Sequence, residues 1–132
     1  MGLVLIIEDD RTTARIVSSV VKSLGSTPVI ASDGQIAYAL LRDNPDVELV
    51  VTDVLLPKLS GLELIEKVRT EERFGSPKIV VMSGLSSQII DRDDAQRLDV
   101  DLVLAKPIRI PDLEASLRNL LVPPPLLEVV SS

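Results

Sequence analysis

Six side chains far apart in the chain share one setting, and their types suggest one chemistry. Glu8, Asp9 and Asp10 follow the apolar run Val4-Leu5-Ile6-Ile7, and Asp53 closes the run Leu49-Val50-Val51-Thr52. Ser83 ends Ile79-Val80-Val81-Met82, and Lys106 ends Leu102-Val103-Leu104-Ala105. Runs this short and this apolar read as parallel strands buried on both faces. In an open α/β sheet, ligands bind in the crevice beyond the carboxyl ends of the strands. Carboxylates, a hydroxyl and an amine therefore arrive at one rim. That set suits a divalent cation and a phosphoryl group.

Each of these residues has a plainer use when taken alone. A carboxylate after a strand can sit at a helix N-terminus, where it favours the dipole. Asp53 could cap a turn, a Ser at a strand end is a turn former, and a lone Lys is usually a solvated charge. Three consecutive acids beyond a buried strand are harder to explain that way. Two carboxylates about 4 Å apart repel by roughly 1 to 4 kcal/mol, depending on the effective dielectric. A bound cation turns that repulsion into attraction. The chain has neither His nor Cys, and an all-oxygen donor set points to Mg²⁺, with Mn²⁺ as the substitute. A carboxylate held beside such an ion can attack phosphorus to give an aspartyl phosphate, and the metal neutralises the incoming oxygens. Asp53 is the candidate nucleophile. The Ser83 hydroxyl could donate to a phosphoryl oxygen, with Gly84 leaving room for the group to enter. Lys106 could pair with Asp53 before modification and with the phosphoryl group afterwards.

Composition narrows the classes. The 132 residues fit one domain with one core, and a hydrophobic content of 45% can fill it. Only 2% are aromatic, so Leu, Val and Ile pack the interior and no platform exists for stacking bases. A net charge of -6 also argues against direct contact with nucleic acid. Absence of His excludes Ser-His and Cys-His catalytic pairs and imidazole metal sites. A phosphohistidine donor must then be another molecule. Absence of Cys suits a reducing cytoplasm. The N-terminus has no basic region ahead of its apolar run, and no apolar stretch is long enough to cross a bilayer. The expectation is a cytoplasmic chain with no membrane contact.

The elements that must position the six side chains alternate as strand and helix. After the first strand, Ile16, Val17, Val20, Val21 and Leu24 recur at helical spacing, with Thr12 or Thr13 as cap and Gly25 at the end. Thr27-Pro28-Val29-Ile30-Ala31 reads as a second strand, with Pro28 near its start as an edge position permits. Ser32-Asp33-Gly34 opens a helix carrying Ile36, Ala37, Leu40 and Leu41. Leu62, Ile65 and Val68 mark the buried face of the helix after Asp53. A polar helix is expected from Ser87 to Leu98, and a last helix from near Pro111, carrying Leu113, Leu117, Leu120 and Leu121. The result is α/β, a doubly wound five-stranded parallel sheet of flavodoxin-like type with helices on both faces. Strand order 2-1-3-4-5 would place a switch point between the first and third strands, beside Asp9 and Asp53. Periodicity alone does not reveal that order. Residues 123–132, opening on Pro123-Pro124-Pro125, read as a Pro-rich tail or truncated linker beyond a domain spanning 1–122.

With these residues assembled, the chain resembles the receiver domain of two-component response regulators, chemotaxis receivers in particular. The resemblance runs from Leu3 to about Val122. It rests on Ile6-Ile7-Glu8-Asp9-Asp10, Asp53-Val54-Leu55-Leu56-Pro57 with Gly61, Met82-Ser83-Gly84, and Lys106-Pro107. Any one motif is weak; four in order are specific. The resemblance implies that Asp53 is the phosphoacceptor and Asp9 a direct Mg²⁺ ligand. Glu8 would hold the metal through water, the Leu55 backbone carbonyl would be a further ligand, and Asp10 would stay outside the set. Ser83 would be the switch hydroxyl and Lys106 the lysine of the family. The implied partners are a histidine kinase or histidine phosphotransfer protein, and a downstream protein on the 87–121 face, with a homodimer also open. The chain would catalyse its own phosphorylation without being a conventional enzyme. Two departures stand out. Val103 occupies the place of the family's usual aromatic, which leaves a phosphorylation-independent interaction module as the alternative function. Leu55 and Leu85 stand where the path of hydrolytic water would run, so a slowly lost phosphoryl group is expected.

Overall fold

The computed structural model describes residues 2–54, 58–71, 74–84 and 92–121. Five strands and five helices alternate: β1 (Leu3–Ile7), α1 (Arg11–Ser23), β2 (Thr27–Ala31), α2 (Gly34–Asp43), β3 (Val47–Asp53), α3 (Gly61–Thr70), β4 (Lys78–Ser83), α4 (Arg92–Arg97), β5 (Leu102–Ala105) and α5 (Ile110–Leu121). The strands form one sheet in the order β2-β1-β3-β4-β5, with every pairing parallel. This is the doubly wound arrangement expected from the alternation of apolar runs.

Side chains of a strand point alternately to opposite faces, and the sheet sorts its core that way. Leu5, Ile7, Val50, Ile79 and Val81 face Ala37, Leu41, Leu64, Ile65, Val68 and Leu98 from α2, α3 and the end of α4. Val4, Ile6, Leu49, Val51, Val80 and Met82 face Val17, Val20, Val21, Leu113 and Leu117 from α1 and α5. The two aromatic residues, Tyr38 and Phe74, meet edge to face with centroids 5.4 Å apart. Among the described residues no helix is long and apolar enough to cross a membrane.

Several local expectations need correction. Asp10, not Thr12 or Thr13, caps α1: its carboxylate accepts from the Thr13 amide and hydroxyl. The cap therefore falls two or three residues earlier, where a carboxylate accepts both bonds. On α3 the fully buried residue of the first turn is Leu64, and Leu62 only packs at the margin. Ile36 of α2 is exposed, since it stands at the solvent side of the first turn. In α4 the regular helix is Arg92–Arg97; residues 87–91 of the expected span lie outside the described residues. Helix α5 begins at Ile110, so Pro111 takes its second position. The strand ending at Lys106 is an edge strand, and Val103 on it is 40% exposed. The tail after Leu121 is outside the described residues.

Candidate functional site

Strand register decides which side chains meet. Ile7 pairs with Thr52, so Glu8 lies level with Asp53. Asp53 pairs with Met82, and Ser83 pairs with Ala105. Acid, hydroxyl and amine thus leave the sheet at one end, on neighbouring strands. The Lys106 amide donates to the Ser83 carbonyl at 2.8 Å and carries this alignment one residue past the strands.

At that rim, Glu8, Asp9 and Asp53 each offer a carboxylate oxygen, all within 4.8 Å of one another. Lys106 reaches into the group: its Nζ lies 2.8 Å from Glu8 Oε1 and 2.7 Å from Asp53 Oδ2. The pairing of Lys106 with Asp53 is the one its residue types suggest, whereas the bond to Glu8 has no counterpart in the sequence pattern. It follows from Glu8 and Asp53 being level across β1 and β3, which no linear pattern displays. The Lys106–Pro107 peptide is cis.

Burial differs sharply among the acids. Glu8 is 2% exposed, Asp53 is partly buried, and Asp9 is open to solvent. Burial pushes the Glu8 carboxyl above its ordinary value, and bonds from Lys106 and the Asp10 amide only partly oppose this. The Asp10 amide donates to Glu8 Oε2 at 3.1 Å, so both Glu8 oxygens accept bonds within the protein. Burial alone would lower the Lys106 ammonium, yet its bonds to Asp53 and Glu8 outweigh that and raise it. Asp10 is turned to its capping role, and the bond from Thr13 holds its carboxyl below the usual range.

Ser83 is buried, and its hydroxyl makes a long contact of 3.5 Å to the Gly84 carbonyl. Among the described residues, a Cβ added at Gly84 would meet nothing within 4 Å. Leu55 and Leu85, and with them the carbonyl ligand implied at Leu55, lie outside the described residues.

Two glycines hold the segment that follows Asp53. A Cβ at Gly61 would overlap the Asp53 carbonyl oxygen, and the Gly61 amide donates to the Val54 carbonyl at 2.9 Å. A Cβ at Gly34 would overlap the Leu59 carbonyl oxygen. Lys58, with φ of 69°, sits 3.7 Å from Asp33, the cap of α2. Gly34 looked like a simple helix opener, and its close approach to Leu59 carries no signal in the sequence. The Ser60–Glu63 capping box that starts α3 is legible there, as Ser followed three residues later by Glu.

The arrangement suits an oxygen-preferring dication. Three carboxylates whose oxygens lie within 4.8 Å of one another face a single ammonium, that of Lys106. With no imidazole or thiolate in the chain, the donor set is that of Mg²⁺ or Mn²⁺.

The family model described as the response regulator receiver domain matches residues 4–118. The chain is 31% identical over 120 residues to a chemotaxis protein CheY homolog of Campylobacter jejuni, covering 89% of this chain and 90% of that one. It is 35% identical over 107 residues to the Regulator of RpoS of Escherichia coli, covering 80% of this chain but only 30% of that protein. Among solved structures, a CheY-like receiver domain from Methylobacillus flagellatus superposes with a TM-score of 0.77 at 28% identity, covering 91% of this chain and 98% of that one. The chemotaxis response regulator CheY4 of Vibrio cholerae shares the fold, with a TM-score of 0.79 at 21% identity over 92% of this chain and 99% of that one. A match over most of its length, on a sheet of the same order, makes this chain a member of the response regulator receiver family.

Proposed function

We propose that this receiver accepts a phosphoryl group on Asp53, with Mg²⁺ held by Asp9, Asp53 and, through water, Glu8. The observation that carries the reading is Lys106 bridging Asp53 and Glu8 beside an acidic triad. The Leu55 carbonyl completes the ligand set in the reading implied by the family resemblance. When bound, the ion neutralises charge on the phosphoryl oxygens. An Asp53 carboxylate oxygen attacks phosphorus, the bond from phosphorus to the donor histidine breaks, and the imidazole leaves with the electron pair. Glu8 suits an indirect role because both its oxygens already accept bonds. Lys106 orients Asp53 beforehand and gains a phosphoryl oxygen as partner afterwards. Among the described residues the Ser83 hydroxyl has a long contact to give up, which favours its turning toward the phosphoryl group. The donor is a histidine kinase or histidine phosphotransfer protein, since the chain has no histidine of its own.

The test is incubation with acetyl phosphate and Mg²⁺, read by intact mass. Wild type should gain one phosphoryl group, and Asp53→Asn should gain none. Uptake by neither protein would leave the phosphorylation-independent interaction module as the better account. The exposed Val103 on β5 is the observation that favours that second reading.

A further inference from the structure

Helix α1 breaks three local rules on one face. Arg11 stands at its first position, where the helix dipole disfavours a cation, and no acid occupies the first turn. Arg15 follows at i+4, the spacing at which like charges destabilise a helix. Both arginines are exposed, and among the described residues neither makes an ion pair or side-chain hydrogen bond. The acids that share cavities with them, Glu8 and Asp9 beside both and Glu114 beside Arg15, form no ion pair with either. Local rules broken without structural compensation are expected at functional positions.

Their placement gives the function. Arg11 and Arg15 line a cavity of about 260 Å³ together with Glu8 and Asp9, with Ile30 in its wall. Two cations beside a cation-holding pocket work against metal affinity, so holding Mg²⁺ does not explain them. An incoming phosphodonor is anionic, and the acidic pocket on a chain of net charge -6 repels it. We infer that Arg11 and Arg15 form an anion-receiving lip, which draws an anionic phosphodonor past the field of Glu8 and Asp9 to Asp53. They are positioning residues: they act on approach and orientation, and Asp53 performs the attack. With acetyl phosphate, the Asp53 oxygen forms the new bond to phosphorus, the bond to the acetyl oxygen breaks, and acetate leaves with the electron pair. This inference rests on phosphoacceptance by Asp53.

The experiment compares wild type with the Arg11→Gln/Arg15→Gln variant, using acetyl phosphate across a range of salt concentrations. At low salt the second-order phosphorylation rate of the variant should fall about 3- to 10-fold, and the gap should close as salt screens the field. Its Mg²⁺ affinity should be equal or tighter, and its melting temperature equal or higher, because two unfavourable charges have left the helix. Equal rates and salt slopes in both proteins would overturn the lip while leaving Asp53 as acceptor. A lower melting temperature in the variant would also overturn it, since the arginines would then be structural. If wild type takes up no phosphoryl group, the proposed function fails and the lip fails with it.

Discussion

Lys106→Met tests the electrostatics of the site from both directions. In wild type the ammonium lies within 2.8 Å of carboxylate oxygens on Glu8 and Asp53. Removing it leaves carboxylates up to 4.8 Å apart without the ammonium between them. Unit charges at that separation repel by roughly 1 kcal/mol at a dielectric of about 80 and by roughly 3.5 kcal/mol at about 20. Lys106 is 24% exposed at its side chain, so solvent screens part of the effect, whereas Glu8 is almost fully enclosed. The metal-free variant should therefore lose about 1 to 3 kcal/mol of stability. The same substitution removes a cation that competes with the metal, and coupling between two ligands is reciprocal. Mg²⁺ should bind the variant about 10-fold more tightly, which adds about 1.4 kcal/mol to the stabilisation at saturating ion. The assay is urea denaturation in chelator and then in a Mg²⁺ series, with both proteins at the same pH. Variant and wild type should differ most without metal and converge as Mg²⁺ rises. A Mg²⁺-dependent gain equal to or smaller than that of wild type would refute the reasoning, because Lys106 and the metal would not then share one pocket.

Three further outcomes follow from other parts of the structure. Gly61→Ala places a methyl group against the Asp53 carbonyl; it should cost about 1 to 3 kcal/mol and slow phosphorylation beyond what unfolding explains, measured by denaturation and mass uptake together. Arg69 donates to the carbonyls of Leu98, Pro77 and Asp99 and ties α3 to the loop before β5, so Arg69→Met should destabilise by about 2 to 4 kcal/mol in thermal or urea unfolding. For pH, the folded Glu8 carboxyl lies above its unfolded value of 4.5. Its contribution is thus full below that value and is lost as pH rises through the folded one. Glu8→Gln should remove this fall from the stability–pH curve in chelator, and a curve unchanged in slope just above pH 4.5 would count against a buried, proton-holding Glu8.

Much of this protein could be read directly from its residues. Three of the four apolar runs that end in acid, hydroxyl or amine are the buried parallel strands their composition announces, because a strand covered on both faces can be apolar at every position; the fourth, β5, lies at the sheet edge and is only partly covered. Those runs also specify the chemistry at each strand end, and the absence of His and Cys restricts the metal to an oxygen-liganded one. What the linear pattern omits is which strands are neighbours and in what register. Hydrophobic burial is non-directional and satisfied by several strand orders, whereas the ladder register sets Glu8 level with Asp53 and Ser83 level with Ala105. From that register comes the bridge from Lys106 to Glu8, and from the packing of the loops come the close approaches that require glycine at 34 and 61; the Asp10 cap is local, a contact to Thr13 three residues on. The placement of Arg11 and Arg15 beside Glu8 and Asp9 belongs to the same class. Residue type is a local property and can be read in one dimension; distance between residues from separate strands is a property of packing, and only the folded chain defines it.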